Sequence, residues 1–266
     1  MLQVGNDLSE EELARVYSAV DSVDYYRPID VTAAKKADRA VDDLSEWVAR
    51  MSPASAVLDI GCGAGHFLGA LRARHPEVAA CGHELDEACA SACRAVGFEV
   101  TTAPLESLGR QFGIVTMLDV AEHVRDPTAV FDAISGIQAA GSFLYLHTPR
   151  RCAWDSLFVT LARLPIVNRL ARVWLMTRVS IAHLRLWTDK ALISALDQAG
   201  FEIVYFTREL ELSWPLAMYP KVYLQDKLSW PPSLVAGICL VLDYLLVRLG
   251  TMRIGRSCWR SGGNAS

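Results

Sequence analysis

The chain has 266 residues, of which 52% are hydrophobic and 21% are charged, and its formal net charge is −4. This composition excludes an intrinsically disordered protein, because disordered chains combine few hydrophobic residues with a high net charge. The negative net charge argues against a protein dedicated to the phosphate backbone of nucleic acids, since such proteins carry an excess of basic residues.

The cysteines and the N-terminal segment indicate the cellular compartment in which the protein is expected. The seven cysteines are odd in number and include no Cys-x-x-Cys pair, so the sequence predicts neither a disulfide framework nor a zinc knuckle. The first residues are acidic and lack the basic and apolar regions of a signal peptide. We therefore predict a cytoplasmic protein.

Two helices are predicted before the first strand. Ser9 and Glu12 form a capping box, and apolar residues at helical spacing follow them, which predicts a helix over 9–20. A second helix is predicted over 31–51. We expect residues 1–52 to form an acidic, helical N-terminal lid.

Strands and helices alternate from residue 53 onward. Short apolar runs rich in β-branched residues predict strands, and segments with helical periodicity follow them. The predicted strands are 56–60, 78–84, 98–102, 112–118, 142–147 and 201–210, and the predicted helices are 65–74, 86–96, 127–138 and 189–199. This alternation predicts an α/β fold with a largely parallel sheet covered on both faces. The best candidate for the last strand is 251–259.

A glycine-rich turn joins the first of these strands to its helix. The segment VLDIGCGAGHF places Asp59 at the end of the strand, followed by Gly61, Gly63 and Gly65. Glycine accepts positive φ and lets a ligand lie against backbone amides at a helix N-terminus. Glu84 ends the next strand, where a carboxylate can accept both hydroxyls of a ribose.

At these residues the chain resembles the class I S-adenosylmethionine-dependent methyltransferases of the ubiquinone and menaquinone type. The resemblance covers about residues 53–208 and includes, in family order, VLDIGCGAGHF, Glu84, MLDVAEHVRDP and HLRLWTDKALISALDQAGFEIV. It implies a Rossmann-like sheet that is mostly parallel with an antiparallel last strand, together with N-terminal helices and helical insertions. It also implies S-adenosylmethionine as the cofactor and methyl transfer as the activity.

The resemblance further implies which residues bind the cofactor. These are Asp59, Gly61, Gly63 and Gly65 around the methionyl part, Cys62 in the same loop, Glu84 on the ribose, Leu85 on the adenine, and Leu118 and Asp119 near the transferable methyl group. The acid that the family often carries after the third strand is missing around Ala103 and Pro104. Adenine recognition is therefore expected from the backbone near Leu105 or from Glu106.

Three side chains that follow the 112–118 strand are candidates for the chemistry. Methyl transfer from a sulfonium mainly requires alignment, and a base is needed only when the acceptor is a neutral hydroxyl or an acidic carbon. Of Asp119, Glu122 and His123, the histidine is the predicted proton acceptor. The alternative is a structural histidine that bonds a loop carbonyl beneath the cofactor.

The same turn resembles a metal-binding motif. Asp119, Glu122 and His123 match the D/E-x-x-E-H ligands of metal-dependent relatives, including ubiquinone-type O-methyltransferases and small-RNA 2′-O-methyltransferases, and His183 resembles a further ligand of the RNA enzymes. Such a set would suit Mn²⁺, Fe²⁺ or Zn²⁺ better than Mg²⁺. Because metal-free members share the pattern, a divalent metal is not favoured and no metal ligand is assigned.

Two regions outside the core are apolar and basic. Residues 156–187 contain five arginines and no acid, and an apolar stretch at 233–250 is interrupted by Asp243 and Arg248, which argues against a transmembrane helix. The stretch is either a buried helix that caps a substrate pocket, which we favour, or an interfacial helix on a membrane.

These regions define the predicted domains and acceptor. We expect a core over 53–208 with an insert at 150–187, and an apolar cap or interfacial segment with the last strand over 209–266. Their apolar character predicts a small hydrophobic or amphipathic acceptor, quinone-like, polyketide-like or lipid-linked, with O-methylation favoured and with peripheral membrane contact. The alternatives are a metal-dependent RNA 2′-O-methyltransferase and a non-catalytic cofactor-binding module. The sequence does not indicate the oligomeric state.

Overall fold

The computed structural model describes residues 2–3, 30–149, 151, 157, 159–161, 163–164, 183–209 and 254–261. The chain divides into two compact units, one formed by residues 1–19, 149–188 and 208–255, and the other by residues 20–148, 189–207 and 256–266. The predicted helix over 9–20 and the apolar stretch over 233–250 lie outside the described residues. Within the described part of the chain, no helix has the length and apolar character needed to cross a membrane.

The secondary structure alternates as the sequence predicts. The strands are β1 (Leu2–Gln3), β2 (Ala56–Ile60), β3 (Ala79–His83), β4 (Glu99–Thr101), β5 (Phe112–Leu118), β6 (Gln138–Thr148), β7 (Arg185–Leu186), β8 (Phe201–Glu209) and β9 (Ile254–Ser261). The helices are α1 (Asp30–Arg50), α2 (His66–Arg74), α3 (Glu87–Ala95), α4 (Pro127–Gly136) and α5 (Asp189–Gln198).

Seven strands form one sheet in the order β4-β3-β2-β5-β6-β9-β8. The pairs β4–β3, β3–β2, β2–β5 and β5–β6 are all parallel. The chain runs outward from β2 through β3 to β4 and then returns to β5 on the other side of β2. The carboxyl ends of β2 and β5 therefore flank a topological switch point, which is where open α/β sheets bind ligands.

The largest difference from the predicted boundaries inside the core lies between the helix α4 and the strand β6. The helix predicted to reach residue 138 ends at Gly136, and β6 begins at Gln138 rather than at 142. The strand starts early because Phe112 pairs with Gln138, while Ile114 pairs with Phe143, so an irregularity in the register absorbs the extra residues. Gly141 takes a φ of 76° within this irregular segment. A strand is present where the last one was predicted, although β9 covers Ile254–Ser261 rather than 251–259.

The long helix α1 packs its apolar face into the core of the second unit. Its buried residues are Ala37, Ala40, Val41, Leu44 and Val48, and they pack with α2 and with residues of β2, β5 and β6. Apart from the adjacent pair Ala40 and Val41, they recur every three or four residues, which keeps them on one side of the helix. The hydroxyl of Tyr145 in β6 also donates to Asp43 in α1 at 2.8 Å. These contacts fix α1, and with it the position of Lys36, against the sheet.

Candidate functional site

Backbone hydrogen bonds join the glycine turn after β2 to the end of β3. The N–H groups of Gly61 and Cys62 donate to the carbonyl oxygen of His83 at 2.7 and 3.2 Å. Gly63 takes a φ of 50°, and a Cβ atom at this position would meet no atom within 4 Å. The backbone of Gly63 therefore borders open space, and a ligand can approach it closely.

Cys62 turns its side chain away from this open space. It is buried, and a Cβ atom added to Gly82 on β3 would collide with its Sγ. Burial raises the pKa of the Cys62 thiol far above its usual range, because the apolar surroundings disfavour the thiolate. Cys62 is thus able to contact a ligand through its backbone rather than through its thiol.

The Glu84 carboxylate is held by two backbone N–H groups. Its Oε2 accepts from Gly63 N and its Oε1 accepts from Asp86 N, both at 2.9 Å. A carboxylate offers about four acceptor positions, so each oxygen retains capacity for another donor. The next side chain, Leu85, is 78% exposed, although it is apolar. An oriented acid beside an exposed apolar group fits a ribose and its attached base.

The other predicted cofactor residues are buried to different degrees. Asp59 is buried and accepts a hydrogen bond from Thr116 Oγ1 at 2.6 Å. Burial raises the pKa of Asp59 to about 7, although the bond from Thr116 opposes this shift. Leu105 is buried in a short 3₁₀ turn, and Leu118 is half-buried against the core that contains α1.

Asp119 is the centre of a charged cluster at the end of β5. Its Oδ2 lies 2.5 Å from Lys36 Nζ, and its Oδ1 lies 2.7 Å from His147 Nδ1. Burial favours the neutral acid most strongly, but the charges and hydrogen bonds of Lys36 and His147 outweigh it, so the pKa of Asp119 is held well below its usual range. Among the described non-glycine residues it alone has a positive φ, of 55°. Such strain in the backbone is common at functional sites.

Glu122 and His123 lie on the turn that follows. Glu122 is fully buried, and its Oε2 accepts from Thr148 Oγ1 at 2.8 Å. Burial and then the nearby charge of Asp119 raise the pKa of Glu122 to about 8, so it is mostly protonated at neutral pH. His123 Nε2 lies 3.9 Å from Glu122 Oε1, and about a quarter of the His123 side chain is exposed. His183, the other candidate ligand, belongs to the first unit, whereas Glu122 and His123 belong to the second.

Sequence reasoning missed Lys36, His147 and Thr148. His147 and Thr148 end β6, which pairs with β5, and the carboxyl ends of parallel neighbours meet at one edge of the sheet. Polar residues at the end of a predicted strand were therefore a usable signal. Lys36 gave none, since one lysine in a helix that is rich in charged residues does not stand out.

Comparison with known proteins identifies the family. A family described as a methyltransferase domain matches residues 33–205. The chain belongs to this family. It is an S-adenosylmethionine-dependent methyltransferase of the Rossmann-like class I fold, with S-adenosylmethionine as its cofactor. These four predictions from the sequence, of family, fold class, enzyme class and cofactor, are confirmed.

Curated relatives of this methyltransferase share a common name. The ubiquinone biosynthesis O-methyltransferase of Pseudomonas aeruginosa (strain LESB58) is 30% identical over 169 residues, which cover 59% of this chain and 72% of the relative. The protein of the same name from Bordetella avium (strain 197N) is 27% identical over 140 residues, which cover 48% of this chain and 57% of the relative.

Solved structures share the fold of this methyltransferase. The mycolic acid cyclopropane synthase CmaA1, complexed with SAH and CTAB, is 15% identical with a TM-score of 0.56, and the match covers 83% of each chain. A putative sarcosine dimethylglycine methyltransferase from Galdieria sulphuraria is 14% identical with a TM-score of 0.58, and the match covers 85% of each chain. At such identities the similarity establishes the fold alone.

The burial of Asp59 predicts a pH dependence of stability. Because the pKa of this acid in the folded protein, about 7, exceeds its ordinary value of about 4, the folded state binds the proton more tightly. The stability that Asp59 contributes is therefore complete below about pH 4 and falls as the pH rises to about 7. The free energy of unfolding can be measured with urea at a series of pH values. Between these two pH values, it should fall less steeply in Asp59→Asn than in the unmodified protein, by up to about 1.4 kcal/mol per pH unit.

The matched control for this measurement is Asp132→Asn, which removes an exposed carboxylate from α4. Its pH profile should run parallel to that of the unmodified protein. If Asp59→Asn gave the same parallel profile, Asp59 would titrate normally and our account of its burial would be wrong.

Proposed function

We propose that this methyltransferase transfers the methyl group of S-adenosylmethionine to an oxygen atom of a small hydrophobic or amphipathic molecule. The observation that carries the proposal is the pair of acids on either side of the switch point, with Glu84 fixed after β3 and Asp119 fixed after β5. Support for oxygen as the accepting atom comes from the curated relatives, which are named as O-methyltransferases of ubiquinone biosynthesis.

The geometry of the glycine turn supports the cofactor arrangement that we propose. Glu84 accepts hydrogen bonds from the ribose hydroxyls, Leu85 packs on the adenine, and the backbone of Gly63 lies against the bound molecule. When bound, S-adenosylmethionine supplies an electrophilic methyl group on a sulfonium, which is already activated for displacement. The protein therefore contributes mainly by aligning the reactants, which corresponds to an effective concentration on the order of 10⁵ M.

His123 is proposed as the proton acceptor for a hydroxyl substrate. Transfer of a methyl group to a neutral hydroxyl leaves a proton on the oxygen, and a nearby imidazole can take it. His123 is partly exposed on the turn after β5, and its Nε2 faces the buried Glu122 at 3.9 Å. Because Glu122 is mostly protonated at neutral pH, it places no full negative charge beside the imidazole.

Contact with a membrane is proposed for the basic, apolar insert. Of its described residues, Leu157 and Leu164 are 43% and 50% exposed, and Arg163 between them is also exposed. Exposed leucines beside an arginine suit the interface of an anionic bilayer. Arg185 does not belong to such a surface, since it is buried with its guanidinium 5.6 Å from the ring of Trp187.

Replacement of Glu84 tests the cofactor site. Glu84→Gln leaves a single acceptor oxygen for the two backbone donors and the ribose, and it removes the charge that strengthens these bonds. We expect S-adenosylhomocysteine to bind about 10- to 100-fold more weakly by calorimetry. Glu77→Gln removes the same charge from an exposed position and should leave the affinity unchanged. Equal affinities for the two variants would contradict the proposed site.

Incubation with labelled cofactor tests the acceptor and His123 together. Labelled methyl groups should enter a hydroxylated quinone or a lipid extract and should be absent from total RNA. His123→Gln should lower this transfer about 100-fold or more while S-adenosylhomocysteine still binds, because general bases contribute roughly 10²- to 10⁴-fold. Labelling of RNA alone would replace the proposal with the RNA enzyme, and full activity of His123→Gln would remove its role as base.

Flotation tests the membrane contact. The protein should float with liposomes of phosphatidylglycerol and phosphatidylcholine at low salt. The double variant Leu157→Glu, Leu164→Glu should not float, because it places two carboxylates where apolar side chains would enter an anionic bilayer. The control Val96→Glu changes an apolar residue of the second unit that is 57% exposed, and this variant should float normally. Failure of the unmodified protein to float would contradict the contact.

A further inference from the structure

Two cysteine thiols lie close together beneath the glycine turn. Cys62 is part of the turn, Cys93 is in the last turn of α3, and both are buried and free of disulfides. A Cβ atom added to Gly65, the last glycine of the turn, would lie 2.7 Å from Cys93 Sγ, and one added to Gly82 on β3 would lie 2.4 Å from Cys62 Sγ. The two thiols therefore fill the space between the turn, β3 and α3.

The electrostatics of the two thiols agree with this placement. Burial raises the pKa of both, and each thiol also shifts the pKa of the other, since Cys93 raises that of Cys62 and Cys62 lowers that of Cys93. Such mutual effects require the two groups to be close in space. Cys62 and Cys93 are thus a pair of neighbouring thiols.

Cys62 also bonds the parts of the turn that hold Glu84. Its N–H donates to His83 O at 3.2 Å, and its carbonyl oxygen accepts from Gly65 N at 2.8 Å. The next residue, Gly63, donates its N–H to Glu84 Oε2 at 2.9 Å. A displacement of Cys62 therefore changes how the Glu84 carboxylate is held.

We propose that Cys62 and Cys93 form a disulfide under oxidising conditions and that this bond weakens the binding of the cofactor. This inference rests on the proposed function, in which the cofactor lies against Gly63 and Glu84. With hydrogen peroxide as the oxidant, one sulfur attacks the peroxide and becomes a sulfenic acid with release of water, and the second sulfur then displaces another water from it. The two S–H bonds and the O–O bond are replaced by one S–S bond and two molecules of water, so each sulfur is oxidised by one electron and the peroxide is reduced.

The disulfide weakens binding because it changes the geometry beneath the turn. Two bonded sulfur atoms are closer together than two sulfur atoms in contact, so Cys62 and α3 must approach each other. The packing cannot absorb this movement freely, since Gly65 and Gly82 already contact the two thiols. The turn therefore shifts, and the bond between Gly63 N and Glu84 is disturbed.

Burial keeps the pair reduced while the turn is closed. The thiolate is the reactive form of cysteine, and burial disfavours it at both Cys62 and Cys93. Oxidation therefore requires the turn to open, and a cofactor that lies against Gly63 opposes this opening. The enzyme is thus oxidised when it is empty and protected when the cofactor is bound.

Cys81 provides a matched control. It is buried and directly precedes Gly82 on β3, so its side chain points to the face of the sheet opposite to that on which Cys62 lies. Its Sγ accepts a hydrogen bond from Arg110 at 2.8 Å. Replacement of Cys81 therefore removes a buried thiol and leaves the pair in place.

Peptide mapping and calorimetry test the inference on the protein without cofactor. Hydrogen peroxide should produce a peptide that joins Cys62 to Cys93 under non-reducing conditions, and dithiothreitol should reverse this. The oxidised protein should bind S-adenosylhomocysteine about 10-fold or more weakly than the reduced protein, because a charge-assisted hydrogen bond at Glu84 is disturbed. An excess of S-adenosylhomocysteine during oxidation should slow the formation of the joined peptide.

Three variants show which thiols are responsible. Cys62→Ala and Cys93→Ala each remove one partner, so peroxide should leave the affinity of each variant at the value of its own reduced form. Cys81→Ala should respond to peroxide as the unmodified protein does. Each variant is compared with itself before and after treatment, so a change in its basal affinity does not affect the result.

The outcomes separate this inference from the proposed function. Absence of the joined peptide, or an unchanged affinity after it has formed, would overturn the inference, and so would a loss of affinity that persists in Cys93→Ala. Equal rates of oxidation with and without S-adenosylhomocysteine would overturn the protection by the cofactor. The mapping does not depend on where the cofactor lies, so normal binding by Glu84→Gln would remove the proposed cofactor site while the joined peptide still decided the thiol pair.

Discussion

Two backbone N–H groups converge on one carboxylate at the glycine turn, where we propose that the cofactor binds. Glu84 lies after β3, and its oxygens accept from Gly63 on the glycine turn and from Asp86 at the start of α3. The same Asp86 caps α3 by accepting from Ala88 N and Cys89 N. One acid therefore joins the turn, the strand end and the helix start, and its orientation is set before any ligand arrives. Preorganised acceptors of this kind lower the cost of binding.

The ionisation of the turn after β5, where we propose that the acceptor binds, depends on which groups surround its two carboxyl groups. Asp119 and Glu122 are three residues apart on the same turn, yet their pKa values move in opposite directions. Asp119 has a lysine and a histidine against it, and their charges exceed the cost of burial. Glu122 has the neutral hydroxyl of Thr148, so burial dominates and the proton is retained. The turn thus presents one stable negative charge and one neutral acid.

The helix α1 is joined to the sheet by both apolar packing and hydrogen bonds. Its apolar face lies in the core, while Lys36 and Asp43 on its length bond Asp119 and Tyr145 in the sheet. A helix that the sequence predicts as part of a lid is, over its described residues, a packed element of the second unit. Its stability comes from burial, and its lysine is positioned as a consequence.

Much of the fold could be predicted from local patterns. The strands 56–60 and 112–118 were predicted with the bounds that are observed, because short apolar runs that contain β-branched residues are typical of buried strands. The glycine turn and Glu84 could also be found from the sequence, because they are recognised by residue type and by short spacing along the chain. The start of β6 could not be found, because extra residues within β6, between its pairings with Phe112 and Ile114, interrupt the strand pattern.

The sequence by itself determined the order of strands and helices, the glycine turn, the acid after β3 and the membership of a methyltransferase family. Only the tertiary structure decided that Lys36, Asp119 and His147 meet, because they are separated by up to 111 positions and come from a helix and two strand ends. It also decided the ionisation of Asp119 and Glu122. The cost of burying a charge depends on which groups surround it, and neighbours in space are not written in the order of residues.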